Sequence, residues 1–304
     1  MKHAMLHPLP ERGPTAALDG APPTVGGKFF FVGDHKLYLR GVSYGPFSAG
    51  PHGFPLPAEE MLERDLALMA EAGVNCLRTF TAPPRWLLDR AAARGIRVLV
   101  TIPWAQHICF LEDASVMAQV RGTVRAAAET LGEHPALFGL LIGNEIPPDM
   151  VRWYGPDRVR AFLRVLRDEV KRRAPATLVS YANFPSTEYL DLTDLVDFVS
   201  FNVYLHREAD FRRYLSRLQN IAEDKPLVLT EFGVDSMREG LEAQGEMLAW
   251  MIRAAFESGA AGTFVFSWTD DWFTGGAHIA DWAFGLVDGQ RQTKSAYGAV
   301  RAQY

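Results

Sequence analysis

Apolar and polar positions along this chain fall into blocks that switch between the two-residue period of a strand and the 3.6-residue period of a helix. Residues 1–24 hold five prolines and little apolar periodicity, which predicts an extended or poorly ordered leader. FFFV (Phe29–Val32), the turn GDHK and KLYLRGVSY (36–44) read as a short hairpin running into a first buried strand. Residues 57–72 place Met61, Leu62, Leu66 and Met69 on one helical face, start on a proline suited to a first turn and stop at Gly73. The strand VNCLRTF (74–80), a helix ending at Gly95 and the run IRVLVTIPW (96–104) follow, the last typical of strands buried on both faces. The same rhythm predicts helices near 114–131, 156–173, 208–222, 239–258 and 293–302, with a helical turn near 186–190. Between them it predicts strands at 136–145, 177–183, 197–204, 226–233 and 262–268.

Counted from Leu39 there are eight strands, each followed by a helix or helical turn, and such alternation implies a parallel sheet. Eight repeats favour closure, so the expected fold is an α/β (β/α)8 TIM barrel, a single domain over 25–304 with a short N-terminal hairpin. A doubly wound open sheet is the competing topology. It usually carries a glycine-rich first turn, and neither G-x-G-x-x-G nor G-x-x-x-x-G-K-[ST] occurs.

Composition narrows the partners. With 304 residues, 48% of them hydrophobic, the chain can bury a large core, and a net charge of -5 without long like-charge runs argues against nucleic acid. Cys76 and Cys109 have neither C-x-x-C nor zinc spacing and cannot form a disulfide framework, which fits a reducing compartment. No apolar run reaches the roughly 18 residues of a membrane segment, and the first residues lack a continuous apolar stretch for export. The chain as written is expected in the cytoplasm; one trimmed of its leader would read the same and belong in the periplasm or outside the cell. No H-E-x-x-H, EF-hand loop or N-x-[ST] is present, so no metal and no cofactor is expected.

In a barrel of this kind reactive groups sit at the C-terminal ends of strands, so the informative residues are the polar or aromatic ones that end apolar runs. These are Arg78, Asn144 with Glu145, Tyr204, Glu231 and Trp268. Glu145 and Glu231 stand out because LFGLLIGNE and PLVLTE place a charge at the end of strongly apolar segments, where it is costly unless held by partners. A single such glutamate could simply cap a helix or pair with an arginine. Two of them, three βα units apart, can converge across a barrel. Paired carboxylates about 5–5.5 Å apart are what retaining glycoside hydrolysis needs. Their mutual repulsion lets one stay protonated near neutral pH while the other is ionised.

LIGNEIP (141–147) and LTEFG (229–233) resemble the paired signatures of clan A glycoside hydrolases, with families 2 and 5 nearest. The resemblance implies Glu145 as acid/base and Glu231 as nucleophile. It implies Asn144 as the residue that hydrogen-bonds the sugar 2-hydroxyl, Arg78 and Tyr204 as the groups that hold the nucleophile, and Trp268 as the aromatic platform under the reacting sugar. It extends from about Tyr38 to Asp288. Family 2 enzymes carry β-sandwich domains before the barrel, and only about 25 residues stand there, so that full architecture is not expected. SWTDDWFTGG and DWAFGLVD are similar to barrel domains that accompany processive bacterial β-glucan glycosyltransferases, which implies a β-linked oligo- or polysaccharide substrate and a functional link to such a transferase.

Trp104, Trp272 and Trp282 could stack on pyranose faces or serve only to pack their loops. Asp271 could bind a hydroxyl or cap a turn. His107 and His206 follow strand ends and are candidate subsite donors or structural histidines. GVSYG (41–45) fits the G-x-S-x-G nucleophile elbow, but Pro46 and a glycine- and proline-rich loop follow where that motif requires a helix. The expected activity is therefore retaining hydrolysis of a β-glucan or β-glucoside. A transglycosylase with the same intermediate, or a catalytically silent glucan-binding barrel, are the alternatives.

Overall fold

The computed structural model describes Leu18, residues 20–50 and residues 53–304. Three short strands, β1 (Pro23–Gly26), β2 (Phe29–Val32) and β3 (His35–Leu37), form an antiparallel sheet in that order. The leader expected over 1–24 lies mostly outside the described residues. Where described, its end is held to the fold: Pro23 and Thr24 already belong to β1, and Arg97 donates to the Ala21 carbonyl at 3.0 Å. Phe30 explains why this small sheet sits where it does. It is fully buried and meets Phe138 and Phe198 edge to face at 4.9 and 5.4 Å, inserting an aromatic plug among the lower residues of the barrel.

Eight parallel strands then close the barrel. They are β4 (Leu39–Tyr44), β5 (Cys76–Thr79), β6 (Arg97–Thr101), β7 (Leu137–Asn144), β8 (Leu178–Asn183), β9 (Val199–Asn202), β10 (Leu227–Phe232) and β11 (Gly262–Val265), each paired with its sequence neighbour and β11 with β4. The helices are α1 (Glu59–Glu71), α2 (Arg85–Ala93), α3 (Ala114–Leu131), α4 (Pro148–Tyr154), α5 (Pro156–Lys171), α6 (Glu208–Ile221), α7 (Ser236–Glu239), α8 (Leu241–Glu257) and α9 (Ser295–Gln303). The loop after β11 carries the two-residue strands β12 (Phe273–Thr274) and β13 (Ala277–His278). The chain is a (β/α)8 barrel, as its pattern predicted. No helix among the described residues is long and apolar enough to cross a membrane.

Three departures from the expected elements have local causes. The predicted strand 36–44 is divided at Tyr38 between the plug sheet and the barrel, because β3 pairs with β2 and β4 with β5. The helix expected over 239–258 is interrupted by Gly240 at φ 90°, a conformation that glycine adopts without Cβ strain. Helix α4 was not foreseen, since its segment opens on two prolines; Gly155 at φ 80° then separates it from α5. The glycines of GVSYG also have structural roles. A Cβ on Gly41 would lie 2.3 Å from the Phe264 ring, Gly45 has φ 76°, and Ser43 is fully buried in the barrel wall, so the motif is no nucleophile elbow.

Candidate active site

In a regular strand successive side chains point to opposite faces, so neighbours such as Asn144 and Glu145 should diverge. They do not, because the pairing of β7 with β8 shifts register between Leu141 and Asn144, and Glu145 takes a left-handed backbone conformation with φ 54°. A comparable shift in β10 against β9 falls between Leu229 and Glu231. Both carboxylates are thus re-aimed at the C-terminal mouth of the barrel by irregularities at the last turn of their strands.

Arg78 organises the floor of this mouth. It is fully buried and donates to Glu231 Oε1 at 2.7 Å, to Asn144 Oδ1 at 2.7 Å, to the Thr230 carbonyl at 2.9 Å and to Thr101 Oγ1 at 2.9 Å. The second oxygen of Glu231 accepts from the Tyr204 hydroxyl at 2.9 Å, so both oxygens of that carboxylate are acceptors and one lies on a guanidinium. Asn202 Nδ2 donates to Glu145 Oε1 at 2.8 Å and to Asn144 Oδ1 at 3.1 Å, while Asn202 Oδ1 accepts from Thr230 at 2.8 Å. The two glutamates are therefore linked through a continuous network of Arg78, Asn144 and Asn202.

This environment raises the proton affinity of Glu145. Burial, and then the Glu231 charge, push the Glu145 carboxyl up to about 7, against the opposing effects of the Asn202 hydrogen bond and Arg78. Burial and the same Glu231 charge push the Tyr204 phenol well above its usual value, so it stays a proton donor to the carboxylate. The mouth thus holds a carboxylic acid that retains its proton near neutrality beside a carboxylate fixed by an arginine and a phenol.

Around the acids the cleft wall is aromatic. It is lined by Asn144, Glu145, Tyr204 and Glu231 together with Phe80, Phe184, Phe266, Trp272, Trp282 and Phe284, and by Pro46 and Thr274. Phe266 is the hub: its ring lies 4.8 Å from Trp272 and 5.5 Å from both Trp282 and Phe284.

Several expected positions need correction. Trp268 is not the platform: it is fully buried, and its indole donates to Asp65 at 2.8 Å outside the cleft. Phe266, two residues earlier in the same run, occupies the wall instead. Trp104 packs edge to face on Phe110 and Phe162 and donates to the Ile142 carbonyl at 2.9 Å, leaving it out of the lining. Asp271 is engaged with Arg291 and His278 at 3.5 and 3.4 Å. His206 meets the Gly233 carbonyl at 3.0 Å, and His107 is exposed; neither lines the cleft. Asn202 was missed although it ends the apolar run DFVSFN, the same signal that marked Asn144.

The chain is a (β/α)8 barrel with two glutamates brought together at its C-terminal mouth. It resembles family 2 sugar hydrolases and is distantly related to fungal β-glucan glycosyltransferase barrels. A family 2 β-galacturonidase from Eisenbergiella tayi superposes with TM-score 0.78 at 20% identity, covering 93% of this chain and 54% of that one. A β-glucuronidase from Ruminococcus gnavus superposes with TM-score 0.77 at 18% identity, covering 92% and 52%. In sequence, 1,3-beta-glucanosyltransferase PGA4 of Candida albicans is 24% identical over 225 residues, 67% of this chain and 50% of that protein. The 1,3-beta-glucanosyltransferase gel1 of Aspergillus fumigatus is 36% identical over 63 residues, 21% of this chain and 14% of that protein. The chain thus spans about half the length, or less, of these relatives. No family model matches it.

Proposed function

We propose that the chain hydrolyses a β-linked glucan or β-glucoside by double displacement, with Glu231 as nucleophile and Glu145 as acid/base. The observation that carries this reading is the pairing of a carboxylate anchored by Arg78 and Tyr204 with a neighbouring carboxyl raised to about 7. In the first step a Glu231 oxygen bonds to C1 as the glycosidic C1–O bond breaks, and Glu145 gives its proton to the departing oxygen. In the second, Glu145 takes a proton from water, whose oxygen attacks C1 and releases Glu231. Asn144 is the donor for the sugar 2-hydroxyl: its Oδ1 accepts from Arg78 and Asn202, which turns its amide Nδ2 away from them.

The sequence likeness to fungal 1,3-beta-glucanosyltransferases favours a second outcome of the same intermediate, in which a sugar hydroxyl replaces water. Product lengths over time separate the two, since transfer lengthens oligosaccharides and hydrolysis only shortens them. A functional link to a glycosyltransferase belongs to this proposal as well.

The test is Glu231→Ala with an activated aryl β-glucoside and azide. A glycosyl azide of inverted configuration should form while native hydrolysis falls by roughly 10⁴-fold or more. Undiminished hydrolysis in the variant would refute the assignment.

A further inference from the structure

The cleft carries two carboxylates and, among the described residues that line it, no cationic side chain. Arg78 does not supply one. Its guanidinium is fully buried beneath Glu231, its nitrogens are bonded to Thr101, Thr230, Glu231 and Asn144, and the Phe80 ring covers it at 4.5 Å. Arg291, between β11 and α9, is almost fully buried and paired with Asp65 and Asp271. The rest of the wall is the aromatic group around Phe266, which offers pyranose C–H faces an apolar surface but gives a carboxylate no hydrogen bond.

We propose that this cleft selects uncharged pyranosides and rejects uronic acids, although the solved structures it resembles include a β-glucuronidase and a β-galacturonidase. The inference rests on the reading of the cleft as a β-glycoside site. A sugar carboxylate brought into it would lose water, meet no cation among the described lining residues, and share the space with Glu145 and Glu231. The Glu231 charge, joined by that of Glu145 once it ionises, and an unpaired buried charge act in the same direction, and this is how a site discriminates by repulsion.

Calorimetric titration of the intact protein with a non-hydrolysable thio-linked β-glucan tetrasaccharide, and with the same compound oxidised to carboxylates at C6, tests it. The neutral compound should bind at least roughly tenfold more tightly. Equal or tighter binding of the oxidised compound would overturn the selectivity and leave the glycosidase reading standing; failure of both to bind would overturn the two together. Thr274→Arg adds a cation at an exposed position of the cleft wall. It should narrow the gap between the two ligands at least threefold, and an unchanged ratio would count against the electrostatic cause.

Discussion

Asn202 donates a 2.8 Å hydrogen bond to Glu145 while its other amide atom accepts from Thr230, the residue before Glu231. It therefore opposes the burial that raises Glu145. Asn202→Ala should move the alkaline limb of kcat/KM to higher pH and lower kcat about tenfold, the scale on which a misplaced proton donor acts. A pH–rate profile checks both, and an unmoved limb would show that Asn202 does not tune the acid.

Arg78 and Glu231 form an ion pair of the mouth in which both partners are buried. Removing one side of such a pair leaves a charge without compensation, at about 3–5 kcal/mol. Arg78→Ala should lower the melting temperature, and activity should fall further than stability explains because Glu231 is no longer oriented. Double replacement with Glu231→Gln, followed by thermal unfolding, should recover much of the lost stability.

The raised carboxyl of Glu145 has opposite consequences for activity and stability. Its protonated form is the general acid, so kcat/KM should fall as pH rises through about 7. Because the folded value lies above the ordinary 4.5, the group destabilises the fold progressively between pH 4.5 and about 7 and constantly above. The upper bound is about 3 kcal/mol, reduced by partial solvent exposure. Glu145→Gln should therefore be more stable than the parent above pH 7 and no more stable below 4.5, measured by denaturant midpoints across pH.

Trp268 and Phe266 should separate cleanly. Trp268→Phe removes the indole donor from the fully buried Asp65 and should lower stability by about 1–3 kcal/mol with KM nearly unchanged. Phe266→Ala opens the aromatic wall and should raise KM. Steady-state kinetics beside thermal melts distinguish these outcomes, and a Trp268 variant with raised KM and intact stability would contradict the placement.

The succession of strands and helices was legible along the chain because periodicity and glycine or proline punctuation are local properties: the helix read at 114–131 is α3, capped by the Asp113 side chain. Glu145 and Glu231 were legible for a related reason, since a charge ending an apolar strand requires partners wherever the strand is placed. Which residue of FVFSW faces the cleft was not legible. Side-chain direction there depends on the register of β11 and on the path of the loop after it, and the partner that claims the Trp268 indole, Asp65, lies 203 residues away in sequence. The same holds for Asp271 and Trp104, whose partners come from other segments of the fold. By itself the sequence determined a barrel with two acids at its mouth. Tertiary structure alone decided that Asn202 donates to Glu145, how strongly burial raises that carboxyl, and which aromatics a ligand would meet, because each depends on groups brought together only when the barrel closes.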